Sequence, residues 1–93
     1  AEEVSKLSED NERVLDLIRT ERMKQDRKWG EQNHSDLYWL GILVEEVGEL
    51  AKAIIENDGE NGVKELVQTA AVCVAWMDAI KRRPRREGAE WRP

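Results

Sequence analysis

Apolar residues along this chain recur at helical spacing, in three stretches separated by short polar breaks. Ser8 is placed to cap a first helix, with Glu9, Asp10 and Glu12 in the first turn, where the helix dipole favours acids. Val14, Leu17, Ile18 and Met23 then make a narrow apolar stripe on a highly charged helix that reaches about Arg27. From Trp29 to His34 there is no period and several turn formers, which predicts a loop. Ser35 caps a second helix, with Asp36 in its first turn, that runs to about Asn57 and stops at Asn57-Asp58-Gly59. A third helix starts near Glu60 or Asn61 and reaches Arg82 or Arg83, where Pro84 ends it. Strand-like alternation and internal repeats are absent. The pattern predicts one all-α domain over residues 8–83, followed by a polar tail over 84–93.

The third helix carries a further message. Every residue from Ala70 to Met77 is apolar, so this stretch has no polar face and must be surrounded by protein. Three helices of this length do not easily surround one of their own. A second subunit is the simpler wall, which predicts a four-helix-bundle-like core completed across a homodimer or homotetramer. Ala70, Ala71, Ala75 and Ala79 allow close helix approach.

Composition narrows the function classes. Val, Leu and Ile number 21 of 93 and Phe is absent, so the core is aliphatic and thin, and the four Trp must fill it or serve a site. The formal charge of −5 argues against non-specific nucleic-acid binding, whose affinity comes from neutralising phosphates. The basic run Lys81, Arg82, Arg83, Arg85 and Arg86 resembles a nucleic-acid tail in isolation, but cations also suit a helix C-terminus, and the latter is preferred. The longest uncharged run, Leu66 to Met77, is shorter than the roughly 20 apolar residues a membrane span needs. A single Cys, Cys73, excludes a disulfide framework and reads as a small core residue. With no basic-then-apolar leader, a reducing, cytoplasmic setting is expected.

Chemistry concentrates on the second and third helices. At about 100° per residue, Glu46 shares a stripe with Trp39, Ile42 and Ala53, and Glu49 lies beside it one turn on. Carboxylates enter an apolar stripe only with compensation, because an unpaired buried charge is costly. Glu45 falls about 100° away, at the edge of the solvent face. On the third helix, Glu65, Thr69, Val72 and Trp76 line one stripe, with Gln68 adjacent. Two such polar pairs facing each other make an oxygen-rich box, the ligand set that Mg²⁺ or Mn²⁺ prefers. Alternatively, Glu46 and Glu49 pair with Lys or Arg of the first helix in ordinary salt bridges.

The run Glu45-Glu46-x-x-Glu49, followed by Glu65-Leu66-Val67-Gln68, resembles the MazG-like all-α nucleoside triphosphate pyrophosphohydrolases, whose pattern is EExxE, a spacer and ExxD. The upstream Gln25-Asp26-Arg27-Lys28-Trp29-Gly30-Glu31-Gln32-Asn33-His34 is similar to small stand-alone members, and the resemblance covers roughly Val14 to Ile80. It implies hydrolysis of a nucleoside triphosphate between the α and β phosphates, giving the monophosphate and pyrophosphate. It also implies Glu46, Glu49 and Glu65 as ligands of Mg²⁺ or Mn²⁺, and Glu45 as the group that orients or deprotonates water. Gln68 stands where the family has Asp; its amide oxygen can coordinate but brings no charge. Trp29 and His34 fall where the base would lie, stacking and hydrogen-bonding it; equally, Trp29 can plug the bundle end and His34 brace the next helix. Lys24, Arg27 and Lys28 are within reach of triphosphate oxygens or form a solvated basic face. Trp39 and Trp76 read as core. The alternative function is a nucleotide-binding or oligomerising helical module that has lost turnover.

Overall fold

The computed structural model describes residues 2–84. It is all-α: α1 (Glu2–Trp29), α2 (Asp36–Ile55) and α3 (Gly59–Arg82). Of the tail expected over 84–93, only Pro84 is described; residues 85–93 lie outside. Among the described residues, no helix is long and apolar enough to cross a membrane.

Local chemistry sets the helix ends. α1 runs through Ser8 rather than starting after it, so the expected cap there is a mid-helix residue. Two of the acids after Ser8 are instead answered along the helix, Asp10 by Arg13 at 3.8 Å and Glu12 by Arg19 at 3.5 Å, and Arg19 also reaches Asp16 at 2.6 Å. Such pairs sustain a helix with little apolar face. Gly30, at φ 72°, terminates α1, its N–H donating to the Asp26 carbonyl at 2.8 Å. Ser35 caps α2 as expected, accepting from the Tyr38 N–H at 3.3 Å. At the other end of α2, Asn57 takes the left-handed conformation, φ 56°. The N–H of Asp58 donates back to the Ala53 carbonyl and that of Asn57 to the Ile54 carbonyl. These are the two bonds of a Schellman ending. Asp58 then caps α3 through the Asn61 N–H, so α3 begins at Gly59, a residue or two earlier than its sequence suggests.

α3 is the central element. α2 packs along it as an antiparallel hairpin and α1 packs on another side, while the backbones of α1 and α2 do not approach each other. Trp39 anchors the core, 2% exposed, against Val72, Ala75 and Ala79, with Ile42, Leu43 and Trp76 packed around it. One large ring thus fills the space that small α3 side chains leave. An aromatic side chain buries about 150–250 Å², worth roughly 4–6 kcal/mol at the usual area coefficient. Trp39 is a core residue, as expected, and Trp76 is half-buried against that core.

Two sequence expectations change here. α1 turns Leu15, Ile18, Arg22 and Gln25 inward, and leaves Val14, Leu17 and Met23 exposed. Of the apolar stretch on α3, Ala71, Val72 and Ala75 are buried within the chain, Met77 is exposed, and Cys73 is half-buried rather than a closed core residue.

The C-terminal end of α3 ties down the loop between α1 and α2. Arg82 Nε donates to Asn33 Oδ1 and its guanidinium also reaches the Gln32 carbonyl. Arg83 donates to the His34 carbonyl and to Asp36 Oδ1, which also accepts from Trp76 Nε1. The Arg83 and Trp76 bonds hold the Asp36 carboxyl below its ordinary pKa. Two of the basic residues in the Lys81–Arg86 run are therefore occupied inside the chain, and Arg85 and Arg86 lie outside the described residues.

Candidate functional site

Because α1 and α2 both lean on α3 without meeting, a groove of about 550 Å³ opens between them, with α3 as its floor. The α1 wall carries Glu21, Lys24, Gln25, Lys28 and Trp29; the α2 wall carries Tyr38, Trp39, Ile42, Glu45 and Glu46; Gln68 and Val72 form the floor. The tethered loop contributes Gln32 and His34 at one end. Of the residues singled out in the sequence, Glu45, Glu46, Gln68, Lys28, Trp29 and His34 line this one groove.

Its electrostatic centre is Glu46. Burial, then the charge of Glu65 and a hydrogen bond with it, push the Glu46 carboxyl above its ordinary pKa, and the charges of Glu49 and Glu45 add to this. Glu46 and Glu65 thus form a carboxyl pair across the α2–α3 seam. With the Gln68 amide turned so that its nitrogen faces them, it donates to Glu46 Oε2 at 3.2 Å and Glu65 Oε2 at 3.3 Å. Gln68 is a bridge between two acids. Thr69, on the same stripe, donates its hydroxyl to the Glu65 carbonyl at 2.7 Å, bracing the backbone under this pair.

Glu49 is exposed and outside the pair, contributing charge to Glu46 but no bond. Among the described residues, no three carboxylate, histidine or cysteine side chains gather into a metal-holding group within the chain. The donor chemistry of the pair nevertheless suits a cation. Two carboxyls held together at half-buried positions need either a shared proton or a positive charge between them. Salt bridges from α1 do not supply it: among the described residues, neither Glu46 nor Glu49 is paired with a Lys or Arg.

The aromatic end is partly open. Trp29 is 59% exposed, with Lys28 Nζ over its ring at 4.7 Å, so it does not plug the bundle. His34 sits 4.3 Å from the Tyr38 ring and 4.9 Å from Trp39, braced against α2. His34 Nε2 and Trp39 Nε1 are buried without hydrogen-bond partners, which is uncommon for enclosed polar atoms. Lys24 and Lys28 face the groove from α1; Arg27 does not line it.

Sequence reasoning did not assign Tyr38, Glu21 or Gln25 to the site. Tyr38 was detectable, since it lies two turns before Glu45 on the same face of α2. Glu21, Gln25 and Lys28 share one face of α1, but their spacing acquires meaning only once α1 is known to border the groove. Comparison with protein-family models, curated proteins and solved structures finds no significant match to this chain.

Proposed function

We propose that this chain is a divalent-cation-dependent nucleoside triphosphate pyrophosphohydrolase of the MazG-like type, acting in a cytoplasmic setting to remove unwanted nucleotides. The observation that carries the proposal is the Glu46–Glu65 carboxyl pair beside a groove whose opposite wall bears Lys24 and Lys28. Acids that need a cation, facing lysines that need an anion, suit a metal-bound polyphosphate better than either partner alone. Glu46 and Glu65 would hold Mg²⁺ or Mn²⁺, with Glu49 adding charge and Gln68 a neutral oxygen once its amide turns over. When bound, the cation neutralises charge building on the phosphates and lowers the pKa of water. Lys24 and Lys28 bind phosphate oxygens from the other wall. Glu45, exposed beside Glu46, takes the proton of the water that attacks the α-phosphorus, with pyrophosphate as the leaving group. Trp29 offers an exposed ring on which a base stacks, and His34 lines the groove beside it. A second copy of the chain completes the bundle, as a homodimer or homotetramer.

One observation favours the alternative, a nucleotide-binding or oligomerising module without turnover. The Gln68 amide donates to both carboxylates and occupies oxygens that a cation would use. Pyrophosphate release from a panel of ribo- and deoxynucleoside triphosphates with Mg²⁺ or Mn²⁺ separates the two. Turnover that disappears in Glu46→Gln supports the hydrolase; metal-dependent nucleotide binding without turnover supports the module; neither signal rejects both.

A further inference from the structure

The basic end of α3 stays outside the groove, since neither Arg82 nor Arg83 lines it, but the residues it holds do. Five hydrogen bonds run from Trp76, Arg82 and Arg83 to residues 32–36, between 40 and 50 positions away in the chain. Arg82 donates to Asn33 Oδ1 at 3.0 Å and to the Gln32 carbonyl at 3.1 Å, and its Nε lies 3.6 Å from a Glu31 carboxylate oxygen. A single nitrogen of Arg83, Nη2, donates to the His34 carbonyl at 3.2 Å and to Asp36 Oδ1 at 2.7 Å. Trp76 Nε1 donates to the same Asp36 oxygen at 2.9 Å. Among the described residues, the other side-chain hydrogen bonds that join distant parts of the chain are those around Glu46, Gln68 and Glu65.

The loop requires outside support. Residues 31–34 form no helix, so their backbone groups need partners from elsewhere, and the Gln32 and His34 carbonyls find theirs on α3. Because α1 and α2 do not approach each other, no contact between them sets the width of the groove at this end. The end of α3 sets it through the loop. His34 is fixed twice, its carbonyl by Arg83 and its ring against Tyr38 and Trp39.

The Asp36–Trp76 bond also belongs to the seam between α2 and α3. Glu46 lies ten residues beyond Asp36, and Glu65 eleven before Trp76, about 15 Å along each helix. One polar fastening thus sits at the mouth and another at the acids, with Trp39 packed against Val72 in the core between them. Trp39 and Gln68 keep the acids in register, so cutting the first fastening loosens the mouth alone. Exposed ion pairs and hydrogen bonds of this kind add little to global stability. Their effect is to restrict a segment that a ligand would otherwise have to order on binding.

We propose that Arg82, Arg83 and Trp76 are positioning residues that clamp residues 32–36 and so preform the base-binding mouth of the groove. Arg82 and Arg83 act on the loop and touch no phosphate. The clamp has this role only if the groove takes a nucleotide, as proposed above, and the two fail separately.

Steady-state pyrophosphate release with Mg²⁺ and the nucleotide that the wild type turns over fastest tests it, with circular dichroism to confirm folding. R82A/R83A is expected to raise KM about tenfold with kcat within about twofold, the pattern of lost ground-state binding. R83A should raise KM about threefold, and R83K should recover most of that, because one ammonium can replace the one nitrogen that makes both bonds. R13A, on α1 and outside the groove, should change neither constant. Amide hydrogen exchange in R82A/R83A should quicken at residues 32–36 and keep wild-type rates in the turns that carry Glu46 and Glu65. If the chain binds nucleotide without turnover, the dissociation constant measured by calorimetry takes the place of KM. Should R82A/R83A unfold, R83A against R83K decides. An unmoved KM, a fall in kcat in place of a rise in KM, or unchanged exchange at residues 32–36 overturns the clamp alone. A wild type that neither turns over nor binds any nucleotide of the panel overturns the proposed function, and the clamp's role with it.

Discussion

The two sides of α2 invert the usual arrangement. Toward the groove the helix half-buries the carboxyl of Glu46 beside Glu65; away from it, Val44 and Ile54 stand in solvent. Charge is enclosed where a monomer should place its apolar residues, and apolar residues are exposed where it should place charge. Neither side is at its free-energy minimum in an isolated, ligand-free chain. The apolar side calls for another helix pair. The acidic side calls for a proton or a cation. One helix therefore carries both features on which the proposed function rests, the acids for a cation and the apolar face for a second copy.

The largest effect expected from breaking this contrast is at Trp39, the residue on which both sides depend. Trp39→Ala removes the one large ring in the core and should cost about 3–5 kcal/mol by urea melting. Trp29→Ala, at an exposed ring of the same groove, should stay within about 0.5 kcal/mol while raising the KM for nucleotide. If the two changes cost the same, Trp39 is not the anchor described.

Gln68→Asp sharpens the acidic half. It replaces an amide that donates to both Glu46 and Glu65 with a third carboxylate, so the metal-free chain should lose about 1–3 kcal/mol. With Mg²⁺ the loss should shrink or reverse, because the same carboxylate becomes a ligand. Thermal melts with and without Mg²⁺ read this. Equal small shifts in both conditions would place Gln68 outside the metal site.

The smallest effect is a pH dependence at Glu46. Its folded-state pKa is raised, so the folded chain holds this proton more tightly than the unfolded one. The associated stability is therefore fully present below the unfolded carboxylate value and is lost as pH rises through the folded one. In chelator at neutral pH, Glu46→Gln should melt at a higher temperature than wild type, and the gap should close as pH falls below about 4. A gap that is constant with pH would show that Glu46 feels neither burial nor Glu65.

Much of this was legible in the amino-acid order because it is local. Ser35 accepts from an N–H three residues on, Asn57 takes the left-handed conformation that ends α2, and Pro84 cannot continue α3. Glu46 was singled out because it breaks an apolar stripe, and rotation about a helix axis follows from counting residues. Gln68 was legible as a neighbour of the acids, but not as a donor to both, since that depends on which way its amide turns. α1 was least legible: Val14, Leu15, Leu17 and Ile18 spread over about 160° of its circumference, and the pattern does not say which edge of that spread turns inward. Packing on α3 selected Leu15 and Ile18, and continued the face through Arg22 and Gln25, which no hydrophobic pattern would choose.

The sequence by itself determined three helices, their stops, and an acidic pair of helix faces, because caps, turns and helical periodicity act within a few residues. Only the tertiary structure decided that α3 lies between the other two, which opens the groove and brings Lys24 and Lys28 opposite Glu46. It also decided that the apolar side of α2 faces out. Periodicity sets the angles between residues on one helix, but which angle meets another helix depends on contacts between residues far apart in the chain, and no local rule encodes those.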